Sequence, residues 1–413
     1  MLKAELAELV RNGKNSGVEF KRDDIHPDSL AREIAALLNL EGGYILLGVE
    51  DDGAVSGLTR PPQAVEEWVM NIGRSNLQPP VIFYWETILW DNSMVVGVIT
   101  LPADGPDKPY KARRGSSWLT MARVGSTSRE ATREEEARLY QASGLMRYDV
   151  KPVLGSSLAE LDRPRLESYF RYVRGQEAPP PGETKAWERL LLNTDLMVEE
   201  RGNILATVGG LLLFGKRPNR FLPQAGLTAT AYPGREKDYA ARERAVLRGP
   251  LVPLLSQTNQ VLEDGLVGQA MDFVRRNTAV EAWIDQGGRR QDRWKDYPLE
   301  AVREALVNAI AHRDYTIAVT DIELAIYSDR LEIISPGNLP NTVTVEKMKY
   351  GYRATRNELI KEVLRDYRYI EATGLGVPRK IIRGMREHNG TEPDLIEEED
   401  RFMVRLWKEP KSE

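Results

Sequence analysis

Cysteine is absent from this 413-residue chain, which removes disulfides, thiolate metal sites and cysteine nucleophiles together. Histidine is scarce. His26, His312 and His388 are the only three, so a multi-histidine zinc site is not expected. No run of apolar residues reaches the roughly 18 that a membrane helix needs, so no membrane partner is expected. The opening MLKAELAELVRNGKN lacks a signal-peptide pattern and reads as an amphipathic helix ended by Asn12-Gly13. These absences point to a cytoplasmic protein. No complete G-x-x-x-x-G-K-[ST] phosphate loop occurs, which excludes a helicase motor. No repeat at a fixed period and no low-complexity tract is present.

What is present is ordinary globular material: 41% hydrophobic and 29% charged residues, enough to build real cores. The net charge of −5 argues against a general polyanion binder. The distribution is uneven, however. Lys108, Lys111, Arg113, Arg114, Arg123 and Arg129 fall in one stretch without a single acid. That stretch reads either as a phosphate-binding surface or as a solvated basic loop.

The pattern predicts an α+β multidomain chain in three parts. Residues 1–148 read as α+β, with a helix over 28–40, a buried strand over 44–50 and a hairpin from 81–90 to 93–101. A further strand over 117–125 and a charged helix over 130–143 follow. Residues 149–290 form a mixed α/β middle region, whose first part is a connector ending in the proline-rich linker QEAPPPGET (176–184). There the pattern predicts a buried helix over 204–216, a strand over 227–234, an amphipathic helix over 250–275 and a polar connector over 287–296. Residues 291–413 form the last domain: helix, two strands across Ser328-Asp329, two more helices and a final strand.

In the last domain Glu304, Asn308 and His312 stand at i, i+4 and i+8, on one helix face. A polar stripe on an otherwise apolar helix either faces solvent or lines a site. The segments EAVREALVNAIAHRDY, DRLEIISPGNLP, RATRNELI and IEATGLGVPRKI together resemble the C-terminal GHKL-type ATPase domain of RecG-like proteins and transcriptional regulators. More distantly they resemble gyrase, the heat-shock chaperones and the histidine kinases. The resemblance implies a Bergerat-type α/β sandwich that binds ATP and magnesium and dimerises as it does so. It implies Glu304 as the base that orients water and Asn308 as the magnesium ligand. Gly374 and Gly376 would form the glycine box that holds phosphates at a helix start. His312 would line the same site. Ser335-Pro336-Gly337-Asn338 stands where these ATPases carry an adenine-reading Asp, so Ser335, Gly337 and Asn338 would meet the base without a carboxylate.

At the other end, Glu19 and Lys21 alternate around Phe20, so both leave one strand face. Glu50, Asp51 and Asp52 sit where the 44–50 strand ends, and Asp51-Asp52-Gly53 is ordinary turn chemistry. Acids from two strands can share a divalent ion; the other reading of the alternation is a cross-strand surface ion pair between Glu19 and Lys21. GVEFK (17–21), NLEGGYILLGVEDDG (39–53) and ARVGST (122–127) together resemble the Schlafen AlbA-like domain. Nucleases of that type use three carboxylates. Glu19 matches one and Glu50 or Asp51 another, but Lys14 stands at the third. The expected function is therefore nucleic-acid binding, to DNA or RNA, through Lys14, Lys21, Arg22, Arg114, Arg123 and Arg129. The alternatives are a metal-dependent RNA or tRNA nuclease and a scaffold with decayed sites. Trp85, Trp90 and Trp118 read as core more than as base-stacking platforms. The chain stops at Glu413, just past the last expected strand, so a winged-helix DNA reader is not expected after it. The overall expectation is a homodimeric regulator of transcription.

Overall fold

The computed structural model describes residues 1–40, 42–91, 94–102, 107–143, 147–284, 290–339, 344–351, 355–370, 375–398 and 400–409. The chain divides into two compact units, residues 1–146 and 147–413.

Unit 1 runs α1 (Lys3–Asn12), β1 (Val18–Lys21), α2 (Pro27–Asn39), β2 (Gly43–Leu47), α3 (Pro62–Ser75), β3 (Leu77–Gln78), β4 (Tyr84–Asp91), β5 (Met94–Leu101), β6 (Lys111–Arg114), β7 (Ser117–Val124), β8 (Thr127–Glu130) and α4 (Arg133–Ala142). The strands make two sheets, ordered β1-β2-β5-β4 and β3-β6-β7-β8. β1 and β2 are parallel, and the other pairs in both sheets are antiparallel. The two-residue period of β2 sends Ile45 and Leu47 into the core under α2 and Leu46 into the core under α1. His26 starts α2: its Nδ1 accepts from the Asp28 N–H at 3.3 Å, and Pro27 sits in the first turn. At the far end Asn39 donates to the carbonyls of Tyr110 (2.8 Å) and Met121 (2.7 Å) and accepts from the Tyr110 N–H (2.7 Å). These bonds tie the end of α2 to the second sheet.

Unit 2 contains α5 (Arg163–Ser168), α6 (Thr184–Asn193), β9 (Met197–Glu200), β10 (Asn203–Ala206), α7 (Val208–Phe214), β11 (Leu227–Ala231), β12 (Glu243–Leu247), β13 (Leu254–Leu255), β14 (Val261–Glu263), α8 (Leu266–Asn277), β15 (Val280–Ile284), β16 (Arg290–Trp294), α9 (Leu299–Ala311), β17 (Ile322–Ile326), β18 (Arg330–Pro336), α10 (Val345–Lys349), α11 (Glu358–Asp366), a π-helical segment Gly376–Arg383 leading into α12 (Gly384–Asn389), β19 (Asp394–Glu398) and β20 (Arg401–Trp407). Its main sheet is ordered β12-β11-β17-β18-β20-β19, with β11 parallel to β17 and every other pair antiparallel. One continuous core joins Phe214 of α7, Phe273 of α8, Leu306 and Ile310 of α9, Ile333 of β18 and Leu364 of α11.

Several expectations change here. The expected helix over 204–216 is strand β10 followed by the seven-residue α7, because the Thr207 hydroxyl accepts from the Gly210 N–H at 3.0 Å and caps a new helix. The expected helix over 250–275 starts only at Leu266, after the β13–β14 hairpin. The polar connector over 287–296 contains β16, paired with β15; residues 287–289 lie outside the described set. The proposed boundary at residue 290 falls within a single unit, since β11 and β12 complete the sheet of the last domain.

Candidate functional site

Unit 1 gathers its charges around Glu19. β1 turns this side chain inward, and only 2% of it is exposed. Three cations converge on the carboxylate: Lys14 Nζ at 2.7 Å, Lys21 Nζ at 2.9 Å and Arg123 Nη1 at 2.8 Å. Burial pushes the Glu19 carboxyl up, but the hydrogen bonds from these three cations more than offset it and hold it below its ordinary range. Arg123 arrives from β7 with a fully buried side chain. It also bonds Glu33 of α2 (3.0 Å), Ser128 (3.1 Å) and the Asn15 carbonyl (2.9 Å). Lys14 bridges Glu19 and Asp51. Its hydrogen bond holds the exposed Asp51 carboxyl below the usual range.

The expected basic surface is therefore sorted by the fold. Lys14, Lys21 and Arg123 are committed to Glu19. Lys108 is buried and donates to the Leu40 carbonyl, and Lys111 pairs with Glu136 at 2.9 Å. Arg22 and Arg129 stay exposed in ion pairs with Asp24 (3.1 Å) and Glu135 (2.8 Å), and Arg114 is exposed. Trp85 and Trp90 pack against the cores on either side of the first sheet, while Trp118 is 39% exposed.

Beside this cluster lies an open groove of about 440 Å³. Its lining includes Lys21, Arg22 and Arg32 together with Asp24, Glu33, Glu50 and Asp51. It is a mixed surface of cations and carboxylates. The pattern had not singled out Glu33, Arg32 or Ser128. The one sequence signal for Arg32 and Glu33 is that they stand as a charged pair ahead of the apolar run of α2, and Ser128 has none.

In unit 2 α9 brings Glu304 and Asn308 together, with Asn308 Nδ2 donating to Glu304 Oε1 at 3.2 Å. Glu304 is buried and Asn308 half-buried, so the acid of this stripe does not face solvent. Lys380 Nζ approaches its other oxygen at 3.6 Å. A Cβ on Gly376 would lie 1.9 Å from Glu304 Oε1, so glycine there is what lets the π-helical segment close on the carboxylate. Gly374 lies outside the described residues.

His312 does not continue the stripe. It caps α9, and its Nδ1 is buried without a partner among the described residues. Burial, with the Arg356 and Lys361 charges adding to it, pushes its pKa down to about 4, so the ring is neutral at neutral pH. The Ser335 hydroxyl points back to the Ala309 carbonyl at 2.8 Å. Gly337 takes φ +102° and packs against Asp314 and Arg356. Asn338 is exposed, and its carbonyl accepts from Arg356 Nη2 at 2.8 Å; Arg356 Nη1 donates to the His312 carbonyl at 3.1 Å. Arg356 was not foreseen as a tie between the end of α9 and the Ser335–Asn338 turn.

Asn308 and Glu304 present oxygens that suit a magnesium ion held chiefly by phosphates and water. Among the described residues, no group of three His, Cys, Asp or Glu side chains is placed to hold a metal by itself. Gly210 to Lys216 matches the first positions of a phosphate loop but ends in Arg217. Its residues 210–214 belong to the apolar helix α7, so it offers no phosphate cradle.

The family model described as "Schlafen, AlbA_2" matches residues 14–132. The one described as "Putative ATP-dependent DNA helicase recG C-terminal" matches residues 320–406. The chain thus carries an AlbA_2 segment followed by a RecG-type C-terminal HATPase segment; the latter match begins after α9. No curated protein matches. Among solved structures, the DIP2311 protein of Corynebacterium diphtheriae is similar at 19% identity, over 99% of this chain and 80% of that one, with a TM-score of 0.45. The N-terminal domain of a RecG-related protein from Nitrosomonas europaea is similar at 21% identity, over 32% of this chain and 90% of that one, with a TM-score of 0.24. No helix among the described residues is long and apolar enough to cross a membrane.

Proposed function

We propose that this chain is a nucleic-acid-binding regulatory protein. Unit 1 holds DNA or RNA without cutting it, and unit 2 binds ATP at the α9 site and couples it to dimerisation. The observation that carries this reading is the Lys14 ammonium between Glu19 and Asp51. A divalent ion shared by those two acids would need the place the ammonium takes. Exchanging the Lys14 ammonium for a divalent ion would add one positive charge to a site whose acid is already matched by Lys21 and Arg123. The AlbA_2 match supports the nucleic-acid half.

Phosphate contacts fall to the exposed arginines: Arg22 and Arg32 at the groove, with Arg114 and Arg129 on the second sheet. The ion pairs of Arg22 and Arg129 are solvent-exposed, so a phosphate can replace the carboxylate. Groove acids such as Glu50 can accept from base amino groups. In unit 2, ATP would meet Gly376, and a magnesium ion would meet Asn308; the bound ion would supply charge neutralisation on the phosphates. Glu304 holds its proton-accepting oxygen against Asn308 and Lys380.

The test is fluorescence anisotropy with labelled tRNA and single- and double-stranded DNA across a salt series. Binding is expected to weaken with salt. Each arginine replaced by alanine should flatten the log–log slope by about 0.7–0.9. Salt-independent binding, or none, refutes the first half. Absence of heat on titrating ATP and magnesium to millimolar concentration refutes the second.

A further inference from the structure

We infer that β4 is a homodimerisation strand: it pairs antiparallel with β4 of a second copy, across a two-fold axis at Thr87. Two sheets of four strands then become one continuous sheet.

The first reason is the edge itself. β4 ends its sheet and is paired on one side only, with β5. It is eight residues long, Tyr84-Trp85-Glu86-Thr87-Ile88-Leu89-Trp90-Asp91, with no proline and no basic residue. Proteins normally blunt exposed edges by shortness, charge or proline. The other ends of the three larger sheets follow that rule. β1 and β8 have four residues each and β3 has two. β12 carries Glu243 and Arg244, and β19 carries Asp394, Glu397 and Glu398. β4 is the longest of these edges, and its two charges, Glu86 and Asp91, are taken up by the Met1 ammonium (2.8 Å) and Lys3 (3.4 Å), while its bulge lies at the far end, between Leu89 and Asp91. It is also where exposed apolar side chains cluster: Ile82 is 91% exposed, Tyr84 79% and Leu89 59%.

The second reason is self-complementarity. A two-fold axis normal to a sheet places residue i opposite residue j only when both leave the same face, so i and j have the same parity. With the axis at Thr87, Thr87 opposes itself, Glu86 opposes Ile88 and Trp85 opposes Leu89. No like charges meet, and the Trp85–Leu89 pair is a favourable aromatic–aliphatic contact. An axis at Glu86 would set two carboxylates face to face. An axis at Ile88 would run the ladder into the bulge between Leu89 and Asp91. The occupant that fits this edge best is therefore the same strand of another copy.

The test uses the full chain without nucleotide, which leaves out the separate ATP-coupled contact proposed for unit 2, in sedimentation velocity over a concentration series. The wild type is expected to dimerise. Thr87→Lys, which opposes two ammonium groups at the axis, should raise the dissociation constant at least about tenfold, and so should Thr87→Glu. Mixing the two variants should restore a dimer. Because the chain has no cysteine, Thr87→Cys should give a single interchain disulfide on mild oxidation, and Ser117→Cys on another strand should give none. The disulfide arm decides the matter even if the charged variants fold poorly. A monomeric wild type, an undiminished dimer of Thr87→Lys, or failure of Thr87→Cys to cross-link overturns the inference. A partner other than a second copy would appear as that monomeric wild type.

Discussion

Replacing Glu19 by glutamine keeps the shape of the side chain and removes one charge from the centre of unit 1. Three cations lie within 2.9 Å of that carboxylate. Lys14 and Lys21 are each about one-fifth exposed, so both can turn toward water. Arg123 cannot, because its side chain is wholly buried. Removing one partner of a buried pair costs about 3–5 kcal/mol. Glu33 remains 3.0 Å from Arg123 and offsets part of the loss, so we expect the lower end, about 3 kcal/mol. At a few degrees per kcal/mol for a unit of this size, the melting transition of unit 1 should fall by roughly 10 °C. Calorimetry of the full chain measures the shift, and hydrogen exchange at the amides of β1 and β7 assigns it to unit 1. The sign also follows with pH. The Glu19 carboxyl is held below its ordinary range, so its stabilisation is present above the unfolded value and is lost as pH falls through the folded one. The glutamine variant should lack that acid loss. A metal-binding acid would behave in the opposite way, since removing one of a set of clustered carboxylates relieves repulsion. An unchanged or raised transition in Glu19→Gln therefore refutes the ion-cluster account.

Three further outcomes follow from unit 2. His312 titrates near 4 in the folded chain and near 6.5 when unfolded. Between those values the unfolded state binds more protons, so stability should rise by up to about 3 kcal/mol from pH 4 to 7; urea midpoints should show this, and His312→Gln should flatten it. Gly337→Ala adds a Cβ 2.5 Å from that of Asp314 at φ +102°, and strain plus overpacking should cost several kcal/mol in chemical denaturation, about 2–6 by the usual ranges. Gly376→Ala forces Glu304 from its place and should weaken calorimetric ATP binding at least about tenfold while leaving the transition of unit 1 unchanged.

Local signals in the sequence were the readable ones. The Glu19–Phe20–Lys21 alternation puts both charges on one face, and the four-residue spacing of Glu304 and Asn308 gives their hydrogen bond. The fate of Arg123 was not readable. A basic stretch looks alike whether its members face solvent or reach a carboxylate more than a hundred residues away in the chain. The assembly of unit 2 was hidden for the same reason, because β11 pairs in parallel with β17 nearly a hundred residues later. The apolar run at 204–216 fits a buried strand as well as a helix, and Thr207 was the cap signal that divides them. His312 has helical spacing but lies where the helix ends, so periodicity carried one step too far.

The most direct test that unit 1 binds nucleic acid without cleaving it is one nucleic-acid titration run twice, with EDTA and with manganese, followed by a gel of the recovered nucleic acid. The lysine-bridged site predicts the same affinity in both and intact nucleic acid throughout. Binding lost in EDTA, or manganese-dependent cleavage abolished by Glu19→Gln, would contradict it.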